Sequence, residues 1–391
     1  MTGHIRRRGE GTWELKFDLG TDPLTGKRIT RYHSFKGTKR QAEAELIRLK
    51  NAANEGTYID KSKTTVSDYL KRWERDWAAI HVGPKTLERY KELLRLHVTP
   101  HIGALRLQRL RAVNLAELYA KLLREGRQAA VGDGDGVGLG ARTVGHVHRV
   151  LHKAFVVAVE WGEIQQNPAD AAAPPKVESV EIEILNEDEV TDTLKKLPKA
   201  TEMRLVGVLG LGGGLRRGEM LALRYHRIDF EAGKLRIEES LEQTKAGLRF
   251  KAPKTKKGRR TIAVPAQVIA EVKAHRKAQQ EIWLQLGKGR LPDDALVFAD
   301  IEGGARSPNA ITKAWSAAIE NHKLPKVSLH GLRHTHASQL IASGMDVLTI
   351  SRRLGHASPA ITLTVYGHLF SNTDDRAAEV MDGAFSRAMK E

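Results

Sequence analysis

The sequence predicts a multidomain protein, mainly α with small β elements. A small β-sheet-plus-helix domain is expected over residues 1–60, an all-α domain over 64–168 and an α+β domain over 180–391. Three observations carry this reading. The chain has 391 residues, more than one core ordinarily organises, since domains run about 100–200 residues. Apolar residues alternate at the start, take a helical period from Thr64 to Pro168, and return to a β-type pattern only around Leu235 to Val264. Pro168, Pro174 and Pro175, set among alanines, mark a linker between the second and third regions.

In chain order, Trp13, Leu15 and Phe17 alternate with polar residues, TDPLTGK supplies a turn and RITRYHSF resumes an extended pattern. This predicts a hairpin. Thr38 followed by Gln41 has the capping-box spacing, and Ala42, Leu46, Leu49 and Ala52 or Ala53 form the stripe of a helix ending near Gly56. Four helical patterns follow: TVSDYLKRWERDW, GPKTLERYKELLRLHVTPHIG, LQRLRAVNLAELYAKLLREG and ARTVGHVHRVLHKAFVVAVEWG. Between the last two, QAAVGDGDGVGLGA (128–141) is expected to be a loop, because its alternating glycines favour no regular element. In the third region Asn186 to Glu189 opens a helix, TIAVP is a strand preceded by a basic hairpin turn, and Ser328 to Gly344 bound another helix. At the end Ala377, Met381, Ala384 and Ala388, with Val380, Phe385 and Met389 beside them, draw the stripe of a C-terminal helix.

Charge narrows the function. A formal net charge of +17 points to a polyanionic partner, and nucleic acid is the polyanion whose phosphates Lys and Arg neutralise without regard to sequence. Residues 1–40 hold ten Lys/Arg against Glu10, Glu14, Asp18 and Asp22, so a strand face or arm laid on DNA is expected there, against the alternative of a solvated face. A membrane partner is not expected: no amphipathic helix with a clustered basic face is found, and the apolar run Leu205–Leu215 is too short to cross a bilayer. The N-terminal stretch lacks the apolar core of a signal peptide, so the protein is expected in the cytoplasm. With no cysteine, disulfides, thiol catalysis and cysteine-based zinc sites drop out.

Four stretches carry candidate chemistry. In GLGGGLRRGEMLAL a glycine cluster leads into Arg216, Arg217 and Glu219; the GxGxxG spacing fails at Leu215 and at Arg217, and no GxxxxGK[ST] occurs, so no nucleotide loop is expected. What remains is an arginine just past a flexible glycine turn with Glu219 on its helical face, either a surface pair or, given the apolar flanks, partly buried. FKAPKTKKGRRTIAVP places lysines at a hairpin tip, a solvated loop or a proton donor over DNA. In LHGLRHTHASQL, His330, Arg333 and His334 share one side of a helix. A metal could use His330 and His334, but Arg333 sets a fixed positive charge beside them and no carboxylate occurs from Ser328 to Met345. A phosphate turns that guanidinium into an advantage, because it binds oxygens bidentately with imidazole donating alongside. Finally, His356 follows a Leu-Gly turn, and Tyr366 comes ten residues later.

Together GLRRGE, PKTKKGRRTIAVP, HGLRHTHAS, LGHAS and VYGH, in that order, resemble the signature of the tyrosine recombinases or phage-type integrases. The resemblance implies Arg216 and Arg333 as phosphate-clamping arginines, Lys254 as the hairpin lysine that protonates the leaving 5′ oxygen, His330 and His356 as flanking histidines, Tyr366 as nucleophile and Glu219 as a supporting acid. Gly331 departs from the family, where Asp is common. His330 is the expected acceptor of the phenolic proton. The cation-rich segments add Arg6, Arg7, Arg8, Lys27, Arg28, Lys256, Lys257 and Arg259 as expected DNA contacts. By the same resemblance, 1–60 is an arm-type DNA-binding domain, 64–168 a core-binding domain and 180–391 the catalytic domain. The implied reaction passes through a 3′-phosphotyrosyl link and needs no cofactor, metal or ATP. Implied partners are double-stranded DNA with core-type and arm-type sites, three further copies in a homotetramer that exchanges C-terminal helices, and a DNA-bending host factor or excisionase at the nucleoid. Rival readings are a type IB topoisomerase, a DNA-binding regulator with a dead site, and a metal-dependent phosphohydrolase.

Overall fold

The computed structural model describes residues 3–126, 138–178, 182–253 and 258–370, together with residues 378, 381, 382, 385–387 and 389. The chain divides into two units, Met1–Glu178 and Ser179–Glu391.

The first unit holds two separate cores. An antiparallel sheet of β1 (Gly3–Gly9), β2 (Thr12–Thr21) and β3 (Arg28–Lys36), in that order, is backed by α1 (Lys39–Asn54). Thr38 and Gln41 make the capping box, worth about 1 kcal/mol. Leu15 and Phe17 meet Ala42, Leu46 and Leu49 in the core. The expected hairpin is β2–β3; the strand β1 was not anticipated, because a run of three arginines has no β pattern of its own. Register explains it. Ile5 lies opposite Leu15 and joins the core, whereas Arg6 lies opposite Glu14 on the far face. Arg7, opposite Trp13, shares the helix-facing side, and Arg8 is bound by Glu14 at 2.8 Å. Lys27 is exposed, and Arg28 lies 3.5 Å from Asp18.

The second core of that unit is helical: α2 (Val66–Trp73), a π-turn (Glu74–Ala78), α3 (Ala79–His81), α4 (Pro84–His97), α5 (Thr99–Ile102), α6 (Ala112–Glu125) and α7 (Ala141–Glu160). Tyr69, Trp73, Leu94, Leu118 and Phe155 are among its buried residues. Most of the glycine-rich stretch expected as a loop lies outside the described residues.

The second unit runs α8 (Glu187–Lys196), α9 (Glu202–Gly213), α10 (Arg217–Leu221), β4 (Ile228–Asp229), β5 (Lys234–Ile237), β6 (Ser240–Thr244), β7 (Gly247–Lys251), β8 (Arg260–Ala263), α11 (Ala266–Gln285), α12 (Pro308–Asn321), α13 (Leu329–Ala342), α14 (Val347–Leu354) and α15 (Pro359–Tyr366). Strands β4, β5 and β8 form one small antiparallel sheet, and β6 and β7 a separate hairpin. Helix α9 is the central element; residues Leu205 to Leu211 are all buried, with α8, α11, α12 and α13 against it.

Here one expectation is corrected. The glycine cluster is not a flexible turn, because α9 continues through Gly207, Gly210, Gly212 and Gly213, and only Gly214 turns left-handed, at φ 63°. These glycines thin the helix so that its neighbours come close. A Cβ on Gly210 would stand 2.9 Å from Leu332 of α13, and one on Gly212 2.6 Å from Val268 of α11. No helix among the described residues is long and apolar enough to cross a membrane.

Overpacking at the α9–α13 contact has a measurable cost. Gly210→Val is expected to destabilise the second unit by roughly 1–3 kcal/mol, read as a lowered urea midpoint, and to slow DNA cleavage because Leu332 adjoins Arg333.

Candidate active site

The ends of α9, α14 and α15 and the starts of α10 and α13 bring the site together. Gly214, in the left-handed cap of α9, releases the chain so that Arg216 becomes the N-cap of α10, with Glu219 as its third residue. Glu219 accepts from the Arg216 backbone N–H at 2.9 Å and from its guanidinium at 2.8 Å. This carboxylate is 4% exposed and the Arg216 side chain 37%, so the pair is partly buried rather than a surface pair. Arg260 on β8 closes the same carboxylate from the other side, donating to Oε1 at 3.0 Å and to Oε2 at 2.9 Å. Desolvation opposes ionisation of Glu219, yet Arg260 and Arg216 outweigh it and hold the carboxyl at about 2.

Helix α13 starts at Ser328, whose side chain accepts from the Gly331 N–H at 2.9 Å. A Cβ at Gly331 would meet Val327 at 2.7 Å and the Glu183 carbonyl at 3.0 Å, so the Asp common in the family has no room here. Arg333 points inward and is 1% exposed. Its guanidinium donates to the Gly214 carbonyl at 2.7 Å and to the Leu354 carbonyl at 2.6 Å, and no carboxylate pairs with it among the described residues. Burial and the like charge of Arg216 push it down to about 9, which leaves it fully cationic at neutral pH.

The remaining groups converge from α14 and α15. Gly355 ends α14 in the left-handed region at φ 66°, and its carbonyl accepts from Arg216 at 3.2 Å. His356, next in the chain, is oriented by Thr362 at 2.8 Å. Tyr366 closes α15 and is 2% exposed. A cavity of about 520 Å³ is lined by Arg216, Arg333, His330, His334, His356 and Tyr366. Burial and nearby cations hold His356 at about 4, and burial with His330 and Arg333 does the same to His334. His330 is lowered by burial, Arg333 and Arg216. Burial raises Tyr366 to about 12 against the pull of both arginines.

Of the residues named from sequence, Arg216, Glu219, His330, Arg333, His356 and Tyr366 are therefore neighbours. Lys254, Lys256 and Lys257 lie outside the described residues, and Arg259 is exposed beside the buried Arg260. One expectation changes: the Tyr366 hydroxyl meets His334 Nδ1 at 2.7 Å rather than His330. Sequence reasoning also passed over Arg260, His336 and Arg353. His336 is 5% exposed and lies 2.6 Å from the Leu211 carbonyl and 2.9 Å from Arg353 Nε. The signals were present: Arg260 alternates with the buried Ile262, and His336 sits three residues past Arg333 on the apolar stripe of α13. No group of three His, Cys, Asp or Glu suited to a metal ion exists among the described residues.

Residues 183–373 match the phage integrase family, and residues 65–123 match the phage integrase N-terminal SAM-like domain. A tyrosine recombinase XerC-like protein of Caldanaerobacter subterraneus is 25% identical over 97% of this chain and 98% of its own. The Tn1549 transposon integrase, solved in complex with a circular intermediate DNA, superposes with a TM-score of 0.64 at 21% identity, covering 82% of this chain and 99% of its own. Lambda integrase, solved as a tetramer bound to a Holliday junction, gives 0.53 at 19% identity over 90% of this chain and 92% of its own. These define the class, an enzyme of site-specific recombination that cleaves and rejoins DNA strands. The chain belongs to the phage integrase family of tyrosine recombinases.

The ionisations set an acid profile. Glu219 is held below its ordinary value, so its contribution is present above pH about 4.5 and is lost as pH falls toward 2, about 3 kcal/mol in all. The buried neutral His336, held near 4, acts earlier: the unfolded chain takes up its proton first, so stability already declines between pH 6.5 and 4. Urea midpoints at pH 7.5, 5 and 3 should fall in that order, and Glu219→Ala, which takes the carboxylate from Arg260, should lower the unfolding free energy at pH 7.5 by about 3–5 kcal/mol.

Proposed function

We propose that Arg216 and Arg333 clamp the non-bridging oxygens of one DNA phosphodiester while Tyr366 attacks its phosphorus. The observation that carries this reading is the buried Arg333 guanidinium, which has no carboxylate partner among the described residues. A desolvated cation wants an anion, and the cavity in front of it admits one. Three guanidiniums, of Arg216, Arg260 and Arg333, gather around the single carboxylate of Glu219, so the pocket carries an excess of positive charge.

The reaction is a transesterification. A bond forms between Tyr366 Oη and phosphorus, the bond from phosphorus to O5′ breaks, a neutral imidazole of the site receives the phenolic proton, and Lys254 protonates O5′. His330 and His356 donate hydrogen bonds to the phosphoryl oxygens as charge builds there. Attack by a 5′ hydroxyl of another strand reverses the step, so the phosphotyrosyl link conserves the bond and no nucleotide is consumed.

Around this centre, residues 64–168 bind core-type DNA and residues 1–60 bind arm-type DNA through the sheet face that carries Arg6 and Lys16. Lys256, Lys257 and Arg259 contact phosphates near the cleavage site. Four copies assemble on DNA and exchange C-terminal helices. Support comes from the lambda integrase tetramer and from Met381, Phe385 and Met389, which are exposed large apolar residues; the rest of that stripe (Ala377, Val380, Ala384 and Ala388) lies outside the described residues. A DNA-bending host factor or an excisionase completes the assembly at the nucleoid.

On a nicked suicide substrate the wild type should form a covalent adduct that survives SDS, unaffected by EDTA, and Tyr366→Phe should form none. Arg216→Ala and Arg333→Ala should each slow adduct formation by about 10²–10³-fold. An adduct with Tyr366→Phe would point away from this reading, and relaxation of a plasmid without partner DNA would point toward a topoisomerase.

A further inference from the structure

The Tyr366 hydroxyl has a side-chain partner within the cavity. Its hydroxyl lies 2.7 Å from His334 Nδ1, and the two rings pack with centroids 5.5 Å apart at 62°. The imidazole is itself fixed. It stands one turn beyond His330 on α13, and the His330 ring meets it edge-on at 4.5 Å and 87°. Helix α13 is anchored by the buried Leu332, Arg333 and His336 on its inner side, which fixes the backbone from which the imidazole projects between His330 and Tyr366.

We propose that His334 is the residue that positions the nucleophile, accepting the hydrogen bond of the Tyr366 hydroxyl through Nδ1 and so fixing where Oη stands when DNA arrives. The inference rests on the reading of Tyr366 as nucleophile. The charge states suit it: burial, His330 and Arg333 hold His334 near 4, so its imidazole is neutral at pH 7, and Tyr366, near 12, keeps its proton. A neutral donor then meets a neutral acceptor. With values so far apart, the contact places the phenol without ionising it, and proton loss waits for the bond to phosphorus.

Acceptor and base are separable by substitution. In His334→Asn an amide oxygen replaces Nδ1 on the same Cγ, an acceptor that cannot take a proton; in His334→Phe the ring remains without an acceptor. Single-turnover cleavage of the nicked substrate, at protein concentrations that saturate the DNA, should stay within about tenfold of wild type for His334→Asn. For His334→Phe it should fall by about a hundredfold or more, with DNA affinity unchanged in both. His334→Phe equal to wild type, or His334→Asn as slow as His334→Phe, overturns the proposal, the latter because it would make His334 the proton acceptor instead. Should either variant fail to fold, ¹⁵N spectra of the wild type decide: Nδ1 of His334 must be the unprotonated ring nitrogen at pH 7, and a protonated Nδ1 refutes the contact. Tyr366→Phe runs alongside. Loss of adduct there with full activity in His334→Phe defeats only this inference, whereas an adduct without the tyrosine hydroxyl defeats the underlying reading.

Discussion

The second unit is organised around a buried cation that no carboxylate neutralises among the described residues. Arg333 is satisfied by the carbonyls of Gly214 and Leu354, and both belong to helix C-termini, of α9 and α14. The last carbonyls of a helix lack intrahelical partners and carry the negative end of its dipole. A guanidinium set between two such ends is held without losing its charge to an ion pair. Left-handed glycines make the arrangement possible. Gly214 and Gly355 end the two helices, and a Cβ would strike His336 at 2.6 Å in the first case and Arg260 at 2.8 Å in the second.

Glu219 does the complementary work. With Arg216 on one side and Arg260 on the other, it fixes two guanidiniums that would otherwise repel each other across a cavity. A second carboxylate would reduce the excess of positive charge that the proposed reading needs for a phosphate. One is enough to order the cations and too few to cancel them. Arg353 extends the same logic outward, tying α14 to the Ala263 carbonyl on β8 and the Gly212 carbonyl on α9, so the elements that supply the site are cross-linked by cations bound to backbone oxygens.

Much of this was legible in the sequence, and the misses have physical causes. Caps were readable at Thr38, Asn186 and Ser328 because a short polar side chain before an apolar period has one structural use. The glycine cluster reads as a turn because helix propensity disfavours glycine by about 1 kcal/mol per residue, a penalty that the close approach of α11 and α13 overrides. Strand β1 escaped notice because its register depends on partners in β2 and not on its own pattern. The catalytic candidates were found through motif order, but which imidazole meets the phenol depends on where α15 crosses α13, a tertiary fact that spacing does not encode. Arg260 is different, since alternation with Ile262 placed it inward from the start.

The site also ties ionisation to occupancy. Burial, and after it Arg333 and Arg216, depress the proton affinity of His330 and His356, and burial with His330 and Arg333 that of His334. At neutral pH these imidazoles are neutral, and the phenol is buried and protonated. A phosphodiester brings negative charge to the same cavity and partly cancels the field of the arginines, so the proton affinity of the imidazoles rises when there is a phosphate to receive their hydrogen bonds. The same arginines then face the charge that builds on phosphorus. On the proposed reading of Tyr366 as nucleophile, the attacking group stays protonated until a phosphodiester changes the local charge.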